Sequence, residues 1–178
     1  MKAVLLDRDE TLNFDPGYIS DPDLIRLKPG VAEGLSLLRD AGYIFFILTN
    51  QSGVGRGLIS REQLESVHRR LKDVLAESQI EIKKIYFCPH TDEDNCDCRK
   101  PHAGMVRAAL KEFSLNADDC FLIGDRLRDI IPGEELNIPG IMVYSSPHKD
   151  DIIPSNLIYI ARDLKDAADF VLSRENQK

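Results

Sequence analysis

Short apolar runs alternate with segments of helical periodicity along the chain, and each apolar run is cut off by polar residues. Residues 2–6 form an apolar run that stops at charge, the pattern of a buried strand. A Pro/Gly/Asp-rich stretch over 15–30 reads as a long loop or flap. Val31, Leu35 and Leu38 recur at helical spacing, with Gly42 as the left-handed stop. Residues 43–48 are a continuous apolar and aromatic run, a second buried strand. Ser60 with Gln63 predicts a capping box, followed by Leu64, Val67, Leu71 and Val74 on one helical face.

Residues 84–88 predict a third strand. Pro101 is expected in the first turn of a helix that buries Met105, Ala109, Leu110 and Phe113. Residues 120–124 and 140–144 predict two more strands, 157–160 an edge strand, and a final helix begins near Asp163. Strands alternating with helices imply α/β architecture, a doubly wound parallel sheet covered on both faces. With no repeat or linker, residues 1–178 are read as a single domain.

Composition narrows the function classes. The 178 residues are 43% hydrophobic and 30% charged, as in globular proteins, and no apolar run approaches the roughly 20 residues that span a bilayer. The first strand reaches Asp7 too early to hold a signal-peptide apolar region, so a cytoplasmic chain is expected. A net charge of −7 argues against a nucleic-acid or acidic-membrane surface. It leaves room for a small anionic substrate held by a cation and a few basic side chains. No exposed apolar stripe stands out, and a monomer is expected.

In a doubly wound sheet ligands bind beyond the carboxyl ends of the strands. There stand Asp7-Arg8-Asp9, Thr49-Asn50-Gln51-Ser52 and Gly124-Asp125-Arg126, while Arg99-Lys100-Pro101 precedes a helix. Two carboxylates two residues apart suit a divided task, one attacking phosphorus, the other protonating the leaving oxygen and then activating water. Magnesium held by Asp7 and Asp125, with Lys100 nearby, offsets the repulsion between carboxylates and phosphate. Thr49, Asn50 and backbone N–H groups are candidates to bond the phosphoryl oxygens.

Asp7, Asp9 and Thr11, then Thr49, then Lys100, then Gly124, Asp125 and Asp129 together resemble the four motifs of the haloacid dehalogenase (HAD) superfamily of phosphotransferases. Thr49-Asn50-Gln51-Ser52-Gly53, Arg56-Gly57, Cys-x-His with Cys-x-Cys-Arg-Lys-Pro, and Gly104-Met105 are similar to the heptose-bisphosphate phosphatases and their histidinol-phosphatase relatives. The likeness covers about residues 1–145. It implies a Rossmann-like fold, Asp7 as nucleophile, Asp9 as general acid/base, and Thr49 and Lys100 as catalytic partners. The short spans from Asp7 to Thr49 and from Thr49 to Lys100 leave no room for the cap that superfamily members often carry, so a capless fold is expected. Magnesium would be held by Asp7, the main-chain carbonyl of Asp9, and Asp125. The implied substrate contacts are Asp15, Pro16, Gly17, Tyr18, Thr49, Asn50, Gln51, Ser52, Arg99, Lys100 and Arg126. The implied substrate is a small sugar phosphate, first the C7 phosphate of a heptose 1,7-bisphosphate, with histidinol phosphate as the alternative. A receiver-type signalling domain fits worse, because its phosphoacceptor ends the third strand, here Cys88.

Cys88 and His90, then Cys96 and Cys98, make a closed Cys3His set suited to structural Zn2+. Arg99 and Lys100 follow directly, so tying the loop would aim both cations. The family pattern departs at Glu10, where glycine is expected. Three outcomes are open: the side chain turns away to solvent, activity is impaired, or the chain is a working variant; a phosphate-binding or zinc-organised interaction module is the reading of another class. Arg61, Arg69, Arg70 and Lys72 read as a solvated helix face, Cys120 as core, and His68 and His148 as surface residues. His102 reads either as a helix-start residue or as a neighbour of the site.

Overall fold

The computed structural model describes residues 1–175. Six parallel strands form one sheet: β1 (Ala3–Leu6), β2 (Ile44–Asn50), β3 (Ile82–Cys88), β4 (Cys120–Gly124), β5 (Gly140–Val143) and β6 (Leu157–Ala161). Their order is β3-β2-β1-β4-β5-β6. The chain starts in the middle of the sheet, winds to one edge, then returns and winds to the other. The crevice between β1 and β4 is therefore the topological switch point, where strand-end loops part to leave a binding site.

Helices α1 (Val31–Asp40), α2 (Ser52–Gly55), α3 (Arg61–Ala76), α4 (Gly104–Phe113), α5 (Leu127–Ile130) and α6 (Leu164–Glu175) connect or follow the strands. Strand side chains alternate between faces. Val4, Leu6, Phe45 and Ile47 pack with Leu35 and Leu38 of α1, Val67 and Leu71 of α3, and Val171 of α6. Leu5, Phe46, Leu48 and Leu122 point the other way, onto Met105, Val106 and Ala109 of α4 and Ile130 of α5. Burial on both faces is why the strands read as unbroken apolar runs. Gly34 lets α1 approach the main chain at Leu164, where any Cβ would clash.

The capping box at Ser60 forms as expected, Ser60 Oγ accepting from Gln63 N–H and Gln63 Oε1 from Ser60 N–H. Three expectations change. Pro101 lies ahead of α4, which starts at Gly104, because Lys100-Pro101 forms a turn in which His102 N–H bonds to Arg99 C=O. His68 is buried, with 8% exposure, beside Phe87 at a ring-centroid distance of 6.0 Å. It follows Val67 on the inward side of α3, so helix geometry overrides its polarity. The third strand begins two residues earlier than expected, at Ile82, where parallel pairing with Phe45 extends it. No helix among the described residues is long and apolar enough to cross a membrane.

Candidate active site

Three strand ends and one loop converge at the switch point. Lys100, only 4% exposed, places its ammonium 2.5 Å from Asp7 Oδ1, 2.7 Å from Asp129 Oδ1 and 2.7 Å from Leu48 C=O. The ammonium thus donates to Asp7 and to the Leu48 carbonyl and is ion-paired with Asp129, the compensation a buried charge requires. The loop carrying Lys100 is held in place by Asn50, whose amide donates to Lys100 C=O and accepts from Lys100 N–H, both at 3.0 Å. Asn50 therefore positions the lysine and does not simply face the cleft, as its motif position suggests.

Asp7, Asp125 and Asp129 bring one carboxylate oxygen each within 4.8 Å of one another. Asp129 reaches this spot because Gly124 has no side chain; a Cβ there would collide with Asp129. Asp129 also caps the start of α5 by accepting from Arg126 N–H at 3.0 Å. Burial pushes the Asp7 carboxyl up to about 7, with Lys100 opposing and Asp129 and Asp9 reinforcing. Burial and the neighbouring Asp129 also raise Asp125. One buried lysine, with the exposed Arg126 at the edge beside Asp125, is too little positive charge for three clustered carboxylates. An all-oxygen donor set with this deficit fits a hard divalent cation such as magnesium.

The Asp9 side chain faces the other way. Arg8, only 1% exposed, donates to both its oxygens at 2.8 Å, and Gln51 Nε2 donates to Oδ2 at 2.8 Å. Burial alone would raise the Asp9 carboxyl, but Arg8 and the bonds from Gln51 and Asn13 hold it below the usual carboxylate range. Gln51 Nε2 also donates to Thr49 Oγ1 at 2.8 Å, joining the end of β2 to the first motif.

Above these groups opens a cleft lined by Arg8, Asp9, Asp15, Gly17, Tyr18, Ile19, Asn50, Gln51, Ser52, Arg99 and Arg128. A larger hollow of about 510 Å³ lies beside Asn156 but holds none of these groups. Chemistry, not volume, selects the site. Of the expected site residues, Asp7, Pro16, Thr49, Lys100, Asp125 and Arg126 are not among the lining residues; Asp7, Thr49 and Lys100 are buried and Arg126 is paired with Asp125 at 3.4 Å. His102 lines a separate hollow with Arg107 and Pro132. The sequence reading missed Arg8, Arg128 and the place of Asp129 in the carboxylate cluster. An arginine between two strand-end aspartates was the available signal for Arg8; Arg128 had none.

Glu10 turns away from the carboxylate cluster. Its backbone adopts φ 59°, the left-handed conformation that favours glycine and costs other residues about 1–2 kcal/mol. Its side chain accepts from Asp15 N–H at 2.7 Å and from Lys28 Nζ at 2.6 Å. Burial, the largest single influence, would raise this carboxyl, but the bonds from Lys28 and the Asp15 N–H together hold it below its ordinary range. Of the open outcomes, the side chain does turn away, to the base of the flap and not into free solvent.

Cys88, His90, Cys96 and Cys98 cluster beside the cleft with sulfur–sulfur separations of 3.1 to 3.5 Å, and His90 Nδ1 lies 3.3 Å from Cys98 Sγ. Disulfides need about 2.05 Å, and all four cysteines are free. Ligands tetrahedral about zinc at about 2.3 Å stand about 3.8 Å apart, so this soft donor set has the composition and nearly the spacing for zinc. Gln51 N–H bonds to Cys88 C=O and Gly55 N–H to Pro89 C=O, tying the loop to the end of β2 and to α2. Arg99, next to Cys98, bonds to Asp92 at 2.6 Å and to His90 C=O at 3.2 Å.

A HAD-hydrolase-like family model matches residues 97–167. The D-glycero-beta-D-manno-heptose-1,7-bisphosphate 7-phosphatase of Pasteurella multocida is 36% identical over 148 residues, covering 80% of each chain. The enzyme of the same name from Haemophilus influenzae is 38% identical, covering 74% of this chain and 75% of its own. The chain belongs to the heptose-bisphosphate phosphatase family of HAD-like hydrolases. It is a phosphoric monoester hydrolase. A crystal structure of D,D-heptose 1,7-bisphosphate phosphatase from B. bronchiseptica, complexed with magnesium and phosphate, superposes with a TM-score of 0.89 at 28% identity, over 98% of this chain and 99% of that one. Among the described residues, only the flap, α1 and β2 stand between Asp7 and Thr49, so no inserted cap covers the cleft from there.

Proposed function

We propose that this enzyme removes the C7 phosphate of D-glycero-D-manno-heptose 1,7-bisphosphate through a phosphorylated Asp7. The observation that carries the reading is the buried Asp7–Lys100–Asp129 cluster, whose Asp7 is two residues along the chain from Asp9 in a polar cleft, in a chain whose relatives bear that activity in their names. Asp7, Asp125 and the Asp9 carbonyl, with Asp129 beside them, would hold magnesium. The ion would supply the positive charge that lets a phosphate dianion approach carboxylates.

An Asp7 carboxylate oxygen attacks phosphorus, forming a new P–O bond as the bond to the sugar oxygen breaks. Asp9 gives its proton to that departing oxygen. Arg8 favours the ionised form of Asp9, and a phosphate dianion arriving beside it raises its proton affinity, so the acid form is reached with substrate bound. Asp9 then takes a proton from water, which attacks phosphorus and releases Asp7 and inorganic phosphate. Lys100 stays paired with Asp7 and Asp129 and offsets part of their charge, and Thr49 with nearby N–H groups bonds the phosphoryl oxygens. Asp15, Gly17, Tyr18, Gln51, Ser52 and Arg99 contact the sugar and its second phosphate. Zinc on Cys88, His90, Cys96 and Cys98 would fix the loop that aims Arg99.

Steady-state phosphate release with magnesium, comparing heptose 1,7-bisphosphate with histidinol phosphate, tests the reading. The bisphosphate is expected to have the higher kcat/KM by at least about tenfold, because the cleft offers Arg99 and Arg128 to a second phosphate. A preference for histidinol phosphate would reverse the assignment.

A further inference from the structure

We propose that Glu10 is a positioning residue that braces the substrate-facing flap, converting the departure from the family glycine into a device of the binding cleft. The inference rests on the reading of that cleft as the substrate site. The legs of the flap are zipped together: Phe14 N–H bonds to Arg26 C=O at 3.1 Å and Lys28 N–H to Leu12 C=O at 2.9 Å. Beyond the first leg the chain runs into Asp15, Gly17, Tyr18 and Ile19, all of which line the cleft.

Glu10 sits where the catalytic loop meets both legs. One carboxylate oxygen accepts from Asp15 N–H, the first residue of the flap tip; the other accepts from Lys28 Nζ on the returning leg. The chain of bonds continues outward, since Asp15 Oδ1 accepts from Gly17 N–H at 2.9 Å. Lys28 is held independently, its ammonium 4.3 Å from the Tyr144 ring centroid and 5.3 Å from that of Phe14. Tyr144 in turn donates its hydroxyl to Pro29 C=O at 2.6 Å. The flap tip is thereby tied to the end of β5 through a single carboxylate. Glycine at position 10 has no group that reaches either donor.

A brace of this kind acts on substrate affinity, because it reduces the freedom the flap loses when substrate binds. Glu10→Gly, Glu10→Gln and Lys28→Met in the full chain test it by kinetics on heptose 1,7-bisphosphate, amide exchange at Asp15 and thermal melting. Glu10→Gly is expected to raise KM about tenfold with kcat within about twofold. Asp15 amide exchange should quicken, while the melting temperature holds or rises because glycine relieves the left-handed backbone. Glu10→Gln keeps an acceptor for Asp15 and should recover most of the KM; Lys28→Met should give an intermediate rise. Unchanged Asp15 exchange in Glu10→Gly, or a lower melting temperature with KM unmoved, would overturn the brace. A parent inactive on the bisphosphate would refute the substrate and leave the exchange result to judge the brace.

Discussion

The two clusters of metal-type ligands flanking the cleft are built in opposite ways. The carboxylates of Asp7, Asp125 and Asp129 come from strand ends and the first turn of α5, far apart in sequence, and are packed against a buried lysine. The thiolates and imidazole of the other cluster come from eleven consecutive residues, 88–98, and bond mainly to one another. The first cluster is positioned by the sheet, is short of positive charge and lies next in sequence to Arg8 and Asp9, which line the cleft. The second closes upon itself. A catalytic site needs a scaffold that survives ligand exchange and an approach for substrate; a structural site needs only four soft donors within reach.

That contrast predicts a graded response to mutation. Asp7→Asn removes the nucleophile and should lower turnover by about 10⁴-fold or more while the protein remains folded, as phosphate release and circular dichroism would show. Residual turnover near that of the parent would mean that the carboxylate cluster is not the catalytic one. Lys100→Met should cost about 10³-fold in kcat and about 3 kcal/mol of stability in urea titration, since Asp7 and Asp129 lose their shared cation inside the sheet. Cys98→Ser should release the loop without touching the sheet. Protein purified without chelators is expected to contain about one zinc per chain, falling below about a tenth in this variant, with KM up by about tenfold and kcat altered far less. A loss of kcat as large as that of Lys100→Met would erase the distinction between the clusters.

The smallest effect on turnover belongs to His68, a buried ionisable group outside both clusters whose Nε2 has no hydrogen-bond partner and which bears on stability alone. Burial, helped by Arg8, lowers its pKa from 6.5 to about 3. The unfolded chain therefore binds the extra proton first as pH falls. The stability gained by keeping the ring neutral is full above pH 6.5 and is lost progressively down to about 3. The slope from this group approaches about 1.4 kcal/mol per pH unit. His68→Phe removes it, so the melting temperature of the variant should gain on that of the parent as the solution is acidified from neutrality; parallel curves would exclude His68 as the source.

Much of the carboxylate site is legible in the order of residues along the chain. Apolar runs ending in Asp7, Thr49 and Asp125 already imply strand ends, and parallel strands place such ends on one edge. The zinc-type loop is legible for a different reason: its four donors are neighbours in sequence, so spacing alone proposes the cluster. Side-chain direction is not legible. Asn50 looked like a phosphate ligand and, besides lining the cleft, holds the Lys100 loop; His68 looked exposed and lies in the core; Arg128, without a motif, lines the cleft, while Arg126 pairs with Asp125.

The amino-acid sequence by itself determined the alternation of strands and helices, most of the reactive groups and the composition of the zinc-type ligand set, because these depend on local periodicity and on chemistry carried residue by residue. Only the tertiary structure decided which cation meets which carboxylate. That choice depends on how side chains remote in sequence compete for the same buried partners, and Glu10 shows it most clearly. Three residues from Asp7 along the chain, it gives its charge to Lys28 and the flap, because a left-handed backbone at position 10 turns it there.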